Sequence, residues 1–259
     1  MPSAPAVPAE TVRPKSPPRA NPTRWLYAAF AALLVILMFV GFQQFYLHGR
    51  AYPAHPFPPP LRGILILHGV LMTGWMTLFL VQPLLIASHN RKMHITLGTL
   101  GAVLAAAMVI VGLYTPIATT RVEPDIVLWG LNRIHFTAVP IFSILAFGGY
   151  VAVGIRYRRR PEIHRPMMLL ATLCIMPAAL DRITGLPDMY AATMWGRWFG
   201  PFFASLLIGA LFLVVKTALT RAFDRRFAAG YAVQVAISLF IMRFAPTHTW
   251  ERIISHFVR

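Results

Sequence analysis

The chain contains several uninterrupted apolar stretches that approach or exceed the ~20 residues a helix needs to cross a lipid bilayer. Three of them cover residues 62–88, 93–116 and 131–155, and short basic turns separate the first from the second and follow the third. Only 12% of the 259 residues are charged, about half the fraction typical of a soluble domain. The sequence therefore predicts an all-α fold, a polytopic integral membrane helical bundle lying in a lipid bilayer.

The apolar stretches predict six or seven transmembrane helices. The seventh, residues 227–242, is slightly short for a span, so six spans plus interfacial helices is the alternative. The final segment places Trp250, Ile253, Ile254 and Phe257 on one helical face, which is typical of an interfacial amphipathic helix. The predicted segments are a disordered, basic, Pro-rich tail (1–24), a transmembrane helical domain (25–244) with a four-helix core (62–185), and an amphipathic C-terminal segment (245–259).

The formal net charge of +16 reflects arginines and lysines concentrated in the tail and in short turns. Nucleic-acid binding would instead need a continuous basic face with stacking or base-reading groups, so that function is excluded. Fourteen of the 24 Lys and Arg residues fall on one side of the predicted bundle, together with the N-terminus. The positive-inside rule then predicts a cytoplasmic N-terminus, and we expect the protein in a bacterial cytoplasmic membrane.

Residues 62–182 resemble an internal repeat of one two-helix unit, with two histidines at matching positions in each copy. His68 and His94 lie in the first copy, 26 residues apart, and His135 and His164 lie in the second, 29 apart. The predicted topology places His68 and His135 near the outer face and His94 and His164 near the inner face. The duplicated unit therefore predicts two pairs of histidines, one at each membrane face.

Two histidines that face each other across a bundle can supply both axial ligands of a b-type haem iron. The face of the first helix that carries His68 also carries Trp75 and Gln82 at seven-residue spacing. Polar groups inside a bilayer are costly and tend to face the bundle interior. Arg133 and Arg182 are candidate cations for haem propionates at the outer level. The residues thus predict a His68–His135 site and a His94–His164 site.

The segments RKMHITLGTLGAVLAA and RYRRRPEIHRPMMLLA resemble the helix starts, a basic turn followed by a histidine, of the transmembrane di-haem cytochrome b-561 family. The resemblance covers about residues 62–185. It implies a four-helix core with one haem b near each face, alternate helices sharing a haem, and a possible transmembrane oxidoreductase. Quinone, another electron carrier or further membrane subunits would be its partners. The chain is also similar to uncharacterised bacterial multi-pass membrane proteins.

Other interpretations of the histidines remain open at this point. His68 and His135 can make interior hydrogen bonds while His94 and His164 are solvated beside basic turns, and a metal or proton site is a third possibility. No nucleophile–base constellation, phosphate loop or carboxylate dyad is visible in the sequence, so soluble-style catalysis has little support. The alternative function is a non-catalytic accessory or assembly subunit of a larger membrane complex, without a cofactor of its own.

Overall fold

The computed structural model describes residues 22–52 and 55–258, and within them the fold is all-α. The helices are α1 Pro22–Gly41, α2 Gln43–His48, α3 Arg62–Ala87, α4 Arg91–Val122, α5 Arg133–Phe136, α6 Ala138–Arg156, α7 Pro161–Ile175, α8 Pro177–Leu180, α9 Met194–Phe199, α10 Phe203–Thr220, α11 Arg225–Phe244 and α12 His248–Val258. Short 3-10 turns cover Pro59–Leu61, Pro187–Met189 and Gly200–Phe202. Two small antiparallel pairs join β1 Arg50–Tyr52 to β2 His55–Pro56, and β3 Val127–Leu128 to β4 Leu131–Asn132.

Two helix pairs form the centre of the bundle. α3 packs along α4, α6 packs along α7, and α4 joins the two pairs by packing against α6. α1 covers α3 and α8, and α11 covers α7 and α6. The interior between them is filled by fully buried side chains such as Phe147, Phe212 and Met108. This arrangement places α3, α4, α6 and α7, which carry the predicted core, around one shared interior.

The turns between the paired helices are built by local residue chemistry. His89 adopts a φ of 61°, which ends α3 in the left-handed region. The side chain of Asn90 then accepts a hydrogen bond from the Met93 amide at 3.2 Å and caps α4. At the next turn Pro161 stands in the first turn of α7, where its missing N–H would be unpaired anyway. Both turns are short and therefore force antiparallel neighbours.

Five helical segments are long and apolar enough to cross a membrane: Pro59–Ala87, Arg91–Val122, Arg133–Arg156, Met194–Thr220 and Arg225–Phe244. The last of these is 20 residues long, so the segment that looked slightly short in the sequence reaches the length of a span. The apolar part of α1, Trp25–Gly41, is shorter, and α7 has only 15 residues. The fold is thus a helical bundle suited to a lipid bilayer.

Three basic turns lie at one end of the bundle, which we name the basic end: residues 88–92, 156–162 and 221–226. The rings of His94 and His164 meet there, and Arg226 lies 3.9 Å from Glu162. Lys216, near the end of α10, donates a hydrogen bond to the Tyr27 hydroxyl at 3.1 Å, so α1 begins at this end as well. The opposite end carries the loops around β1–β4 and is named the cavity end.

α12 folds back across the cavity end as an amphipathic helix. Trp250 and Ile254 are buried against α5 and α11, whereas Ile253 and Phe257 are exposed. The Trp250 indole donates a hydrogen bond to the Thr137 hydroxyl at 3.2 Å. Of the residues predicted to form the apolar face of an interfacial helix, two therefore pack inside the protein and two remain at its surface.

The observed helices differ from the predicted segments at several boundaries. Residues 1–21 of the predicted tail (1–24) lie outside the described residues. α1 begins at Pro22, inside the range predicted for the tail. The helix that the sequence predicts over about residues 163–183 is interrupted at Met176, because Pro177 has no N–H to continue the helical ladder. The two predicted copies also differ in detail: His68 lies inside a 26-residue helix, whereas His135 lies in the four-residue α5.

Candidate functional site

His94 and His164 face each other at the basic end. Their ring centroids are 6.3 Å apart and the ring planes are nearly perpendicular, at 88°. His94 lies in the first turn of α4 and His164 in the first turn of α7, so the two basic turns bring them together. Both are half-buried rather than fully exposed. The sequence-predicted pair of histidines at this end is therefore in contact.

The outward nitrogens of this pair are held by neighbouring groups. Nδ1 of His164 lies 2.9 Å from the carbonyl oxygen of Gly154 on α6, and donates to it when protonated. The side-chain amide nitrogen of Gln82 donates to Nδ1 of His94 and to the His94 carbonyl at 3.2 Å, and the amide oxygen of Gln82 accepts from the Gly98 amide at 3.0 Å. His164 therefore has Nε2 available for a metal when its Nδ1 donates, whereas Nδ1 of His94 is an acceptor and its Nε2 carries the proton.

The distance between the two ring centres can be compared with the distance expected when two imidazoles bind one metal ion from opposite sides. A metal–nitrogen bond of about 2 Å, with roughly 1.1 Å from the nitrogen to its ring centre, puts the two centres about 6.2 Å apart when the ligands are opposite. The observed 6.3 Å agrees with this distance. The two ring centres are thus separated by a length that one metal ion between two imidazole nitrogens would also give.

The surroundings of this pair are partly open and partly filled. At Gly98, beside His94, an added Cβ would meet no atom closer than the Gln82 amide nitrogen at 3.8 Å. At Gly101, one turn further along α4, the side chain of Leu78 fills the space, since a Cβ there would lie 2.5 Å from it. The small residues of α4 therefore leave room next to His94 and allow close helix packing beyond it.

His68, at the other end of α3, is positioned by α4. Its Nδ1 lies 3.3 Å from the hydroxyl of Thr115. That hydroxyl donates its hydrogen to the Val111 carbonyl at 2.7 Å, so its oxygen is the acceptor for an N–H of His68. Nε2 of His68 is then the nitrogen with a free lone pair.

A cavity of about 620 Å³ lies beside His68, between α1, α3, α4, α6 and α8. This volume lies within the ~300–1,000 Å³ range of small-molecule and cofactor sites. Most of its lining is apolar, and the charged residues of the wall are three arginines and two carboxylates: Arg50, Arg133, Arg182, Glu123 and Asp181. The guanidinium of Arg182 lies 4.9 Å from the centre of the Phe42 ring. Arg133 and Arg182, predicted as outer cations, thus lie in the same cavity as His68.

His135 faces a different partner. Its Nε2 lies 3.7 Å from the Glu251 carboxylate on α12, and its side chain is 19% exposed. Glu251 also lies 3.3 Å from Nδ1 of His248. His135 is absent from the cavity lining among the described residues. The structure therefore brings His94 to His164, and directs His68 and His135 to different neighbours.

A polar corner follows α8 at the cavity end. The carboxylate of Asp181 accepts a hydrogen bond from the Trp129 indole at 2.7 Å, and Trp129 stacks on Tyr190. Burial raises the pKa of Asp181, and the Trp129 hydrogen bond and the positive charge of Arg182 oppose the rise. Burial also raises the pKa of Tyr190 to about 12, so its phenol stays neutral at physiological pH.

Sequence reasoning did not identify Thr115 and Glu251 as partners of the histidines. Gln82 carried a usable signal, because it stands 14 residues after His68 on one face of α3. Glu251 carried no such signal, since it reaches His135 only because α12 folds back onto α5. Among the described residues, no group of three or more His, Cys, Asp or Glu side chains is gathered to hold a metal ion. The candidate sites are therefore one histidine pair, His94 and His164, and the cavity beside His68.

Comparisons with known proteins add no family to this description. No family model, no curated protein and no solved structure matches the chain. The class that the fold defines is an all-α protein, with five helices long and apolar enough to cross a membrane in the part of the chain that the structure describes.

Proposed function

We propose that the protein carries electrons across a membrane through b-type haem, with His94 and His164 as axial ligands at the basic end. The observation that carries the proposal is the ring pair, 6.3 Å apart and nearly perpendicular. A haem bound there would supply a one-electron iron couple whose potential depends on its ligands and surroundings. Transmembrane oxidoreductases of the cytochrome b type work with such a couple.

The chain's own residues then have defined tasks at this site. The Gly154 carbonyl holds His164 through its Nδ1, which leaves Nε2 for iron. Gln82 contacts Nδ1 of His94 through its amide nitrogen, so binding of iron at Nε2 would require the Nδ1–H tautomer and a rotation of the Gln82 amide that lets its oxygen accept this proton. Arg91, Lys92 and Arg165 lie within three residues of the two histidines and can pair with anionic propionates.

The proposal includes seven spans and a cytoplasmic N-terminus. The five long helices, α1 and the combined α7–α8 segment would make the seven. The location of all three basic turns and the start of α1 at one end supports this orientation, because positive residues accumulate on the cytoplasmic side. Electron exchange partners would be quinone, another carrier or further membrane subunits, in a bacterial cytoplasmic membrane.

The test is the absorption spectrum of the full chain, purified in detergent from haem-replete cells. We expect an intense Soret band that shifts on dithionite reduction, and loss of the same spectral component in His94→Ala and His164→Ala. His256→Ala, an exposed histidine on α12, is the matched control and keeps the full spectrum. Colourless wild-type protein would refute the proposal, and stable partner subunits retained in mild detergent would then favour an accessory role.

A further inference from the structure

The charged groups in the wall of the cavity already have their own surroundings. Two carboxylates and three arginines stand in this wall, so their charges nearly cancel. Asp181 accepts the indole hydrogen bond described above, and Arg182 donates to the main-chain carbonyl one turn before it. Glu123 and Arg133 have interaction partners, and Arg50 is exposed at the surface. The wall therefore favours an uncharged occupant, because a net charge would be buried there without a free partner.

Most hydroxyl groups of the wall are used inside the protein as well. Those of Thr119 and Thr120 donate to the same main-chain carbonyl, at 3.1 and 2.8 Å. The Tyr46 hydroxyl lies 2.7 Å from the hydroxyl of Thr73. Oγ of Ser143 is buried, so it is not presented to the cavity. These groups therefore leave little hydrogen-bonding capacity for a molecule in the cavity.

Nε2 of His68 is the polar atom that the wall leaves available. The Thr115 hydroxyl donates to the Val111 carbonyl and accepts the Nδ1–H of His68, which leaves a lone pair on Nε2. Among the described residues this nitrogen has no hydrogen-bond partner and, unlike Nε2 of His135, it is not buried. It therefore faces open space, and the open space beside His68 is the cavity. Because Nε2 is an acceptor in this tautomer, the occupant must bring an O–H or N–H donor.

Aromatic rings form the part of the wall next to His68. Phe42, Phe45 and Phe57 line the cavity. Gly69 makes room for the Phe45 ring, since an added Cβ at this position would lie 2.5 Å from it. Phe45 in turn meets Phe57 edge to face, with the ring centroids 5.7 Å apart. Such a wall favours an aromatic occupant, because rings pack well in edge-to-face and offset-stacked contacts.

We infer that the cavity binds an uncharged phenol with an apolar substituent, whose hydroxyl donates a hydrogen bond to Nε2 of His68. The volume of about 620 Å³ has room for one ring and an apolar tail. A free alkylphenol and the hydroquinone ring of a membrane quinol share this chemistry. No bond is made or broken on binding. The inference goes beyond the proposed haem site and is independent of it, because Gln82, the neighbour of His94, lies about 21 Å from His68 along α3.

The experiment is equilibrium binding of radiolabelled para-hexylphenol to the full-length protein in lipid nanodiscs, with binding to empty nanodiscs subtracted. We expect one saturable site per chain. Para-hexylanisole, in which a methyl group replaces the hydroxyl hydrogen, should compete about three- to tenfold less well, as expected for one lost hydrogen bond. His68→Ala should weaken para-hexylphenol by a similar factor and remove the difference between the two probes. Ser143→Ala, which removes a buried hydroxyl from the same wall, is the matched control and keeps both affinities.

A further probe separates the two sources of the phenol. Tighter competition by hexylhydroquinone than by para-hexylphenol would assign the site to quinols, and the reverse order would assign it to monophenols. Either order supports the inference, since both molecules present an uncharged phenolic hydroxyl to His68.

Four outcomes overturn the inference. Equal competition by para-hexylanisole and para-hexylphenol on the wild-type protein, which involves no variant and no question of folding, would remove the hydrogen bond. An unchanged preference for the phenol in His68→Ala would place the acceptor elsewhere. Tighter binding of para-hexylbenzoate would show that the wall favours an anion, and a lack of saturable binding would remove the site. The absorption spectrum tests the haem proposal separately, so the failure of one does not imply the failure of the other.

Discussion

At the scale of single residues, Gln82 lies on the same face of α3 as His68, and this face reaches from one end of the molecule to the other. It lies 14 residues beyond His68 on α3, or about 21 Å at helical rise. Midway stands Trp75, buried, with its indole donating to the Thr172 hydroxyl on α7 at 3.2 Å. One face of α3 therefore carries a cavity histidine, a buried aromatic and the partner of His94.

Lys216 and Asp224 form the principal buried ion pair described at the basic end. Their side chains are 14% and 13% exposed, and the Asp224 carboxylate also caps α11 by accepting from the amides of Arg226 and Phe227. The Lys216 ammonium additionally donates to Tyr27. Asp224 therefore joins α10 to the first turn of α11, and Lys216 joins this corner to α1.

We expect Asp224→Ala to lower the free energy of unfolding by roughly 3–5 kcal/mol, because it leaves a buried ammonium without its carboxylate. Asp224→Asn keeps a capping oxygen, so its loss should be smaller by about 1 kcal/mol. Reversible unfolding in mixed detergent micelles measures both variants against wild type. Equal stability of Asp224→Ala and wild type would show that the pair contributes nothing.

At the scale of elements, the sequence predicted the apolar helices well because their signal is local. Run length, basic turns and capping residues such as Asn90 act within a few residues of where they stand. The interruption at Pro177 was not predicted: the sequence prediction ran one helix over residues 163–183, although a proline inside a helix removes a backbone donor. The sequence carried no local signal for the contact of His135 with Glu251, because Glu251 lies on a helix more than 100 positions away. Spacing in the sequence therefore indicated that His94 and His164 are neighbours, but it did not indicate the neighbours of His68 and His135.

α12 is held at the cavity end mainly by one aromatic side chain. Trp250 is 4% exposed, contacts Phe142 and Phe244, and donates to Thr137. We expect Trp250→Ala to weaken the docking of α12 by about 3–5 kcal/mol through the lost packing. Hydrogen–deuterium exchange should then rise in α12 while the core helices remain protected. Ile253→Ala, on the exposed face, is the control and should change exchange little; equal effects of the two variants would contradict the docking role.

At the scale of the whole molecule, the two ends of the bundle differ in kind. The basic end gathers positive turns and a facing histidine pair, whereas the cavity end holds an apolar chamber under loops and α12. The outer face of α4 exposes Leu100, Val103 and Ile110, at 62–69% each, which suits contact with lipid chains. A bundle with such an exposed apolar surface and two unlike ends has a defined orientation across a bilayer, and that orientation is directly measurable.

The orientation can be tested with single cysteines placed at the two ends of α7–α8. In a Cys174→Ser background, Arg159→Cys lies in the exposed turn before α7 and Thr184→Cys in the exposed loop after α8. If α7–α8 spans the membrane, as seven spans with a cytoplasmic N-terminus require, the two thiols lie on opposite sides. A membrane-impermeant maleimide should then label Arg159→Cys only in inside-out vesicles and Thr184→Cys only in right-side-out vesicles. Labelling of both from the same side would mean that α7–α8 does not span, and the reverse pattern would place the basic end outside. Either result would contradict seven spans with a cytoplasmic N-terminus.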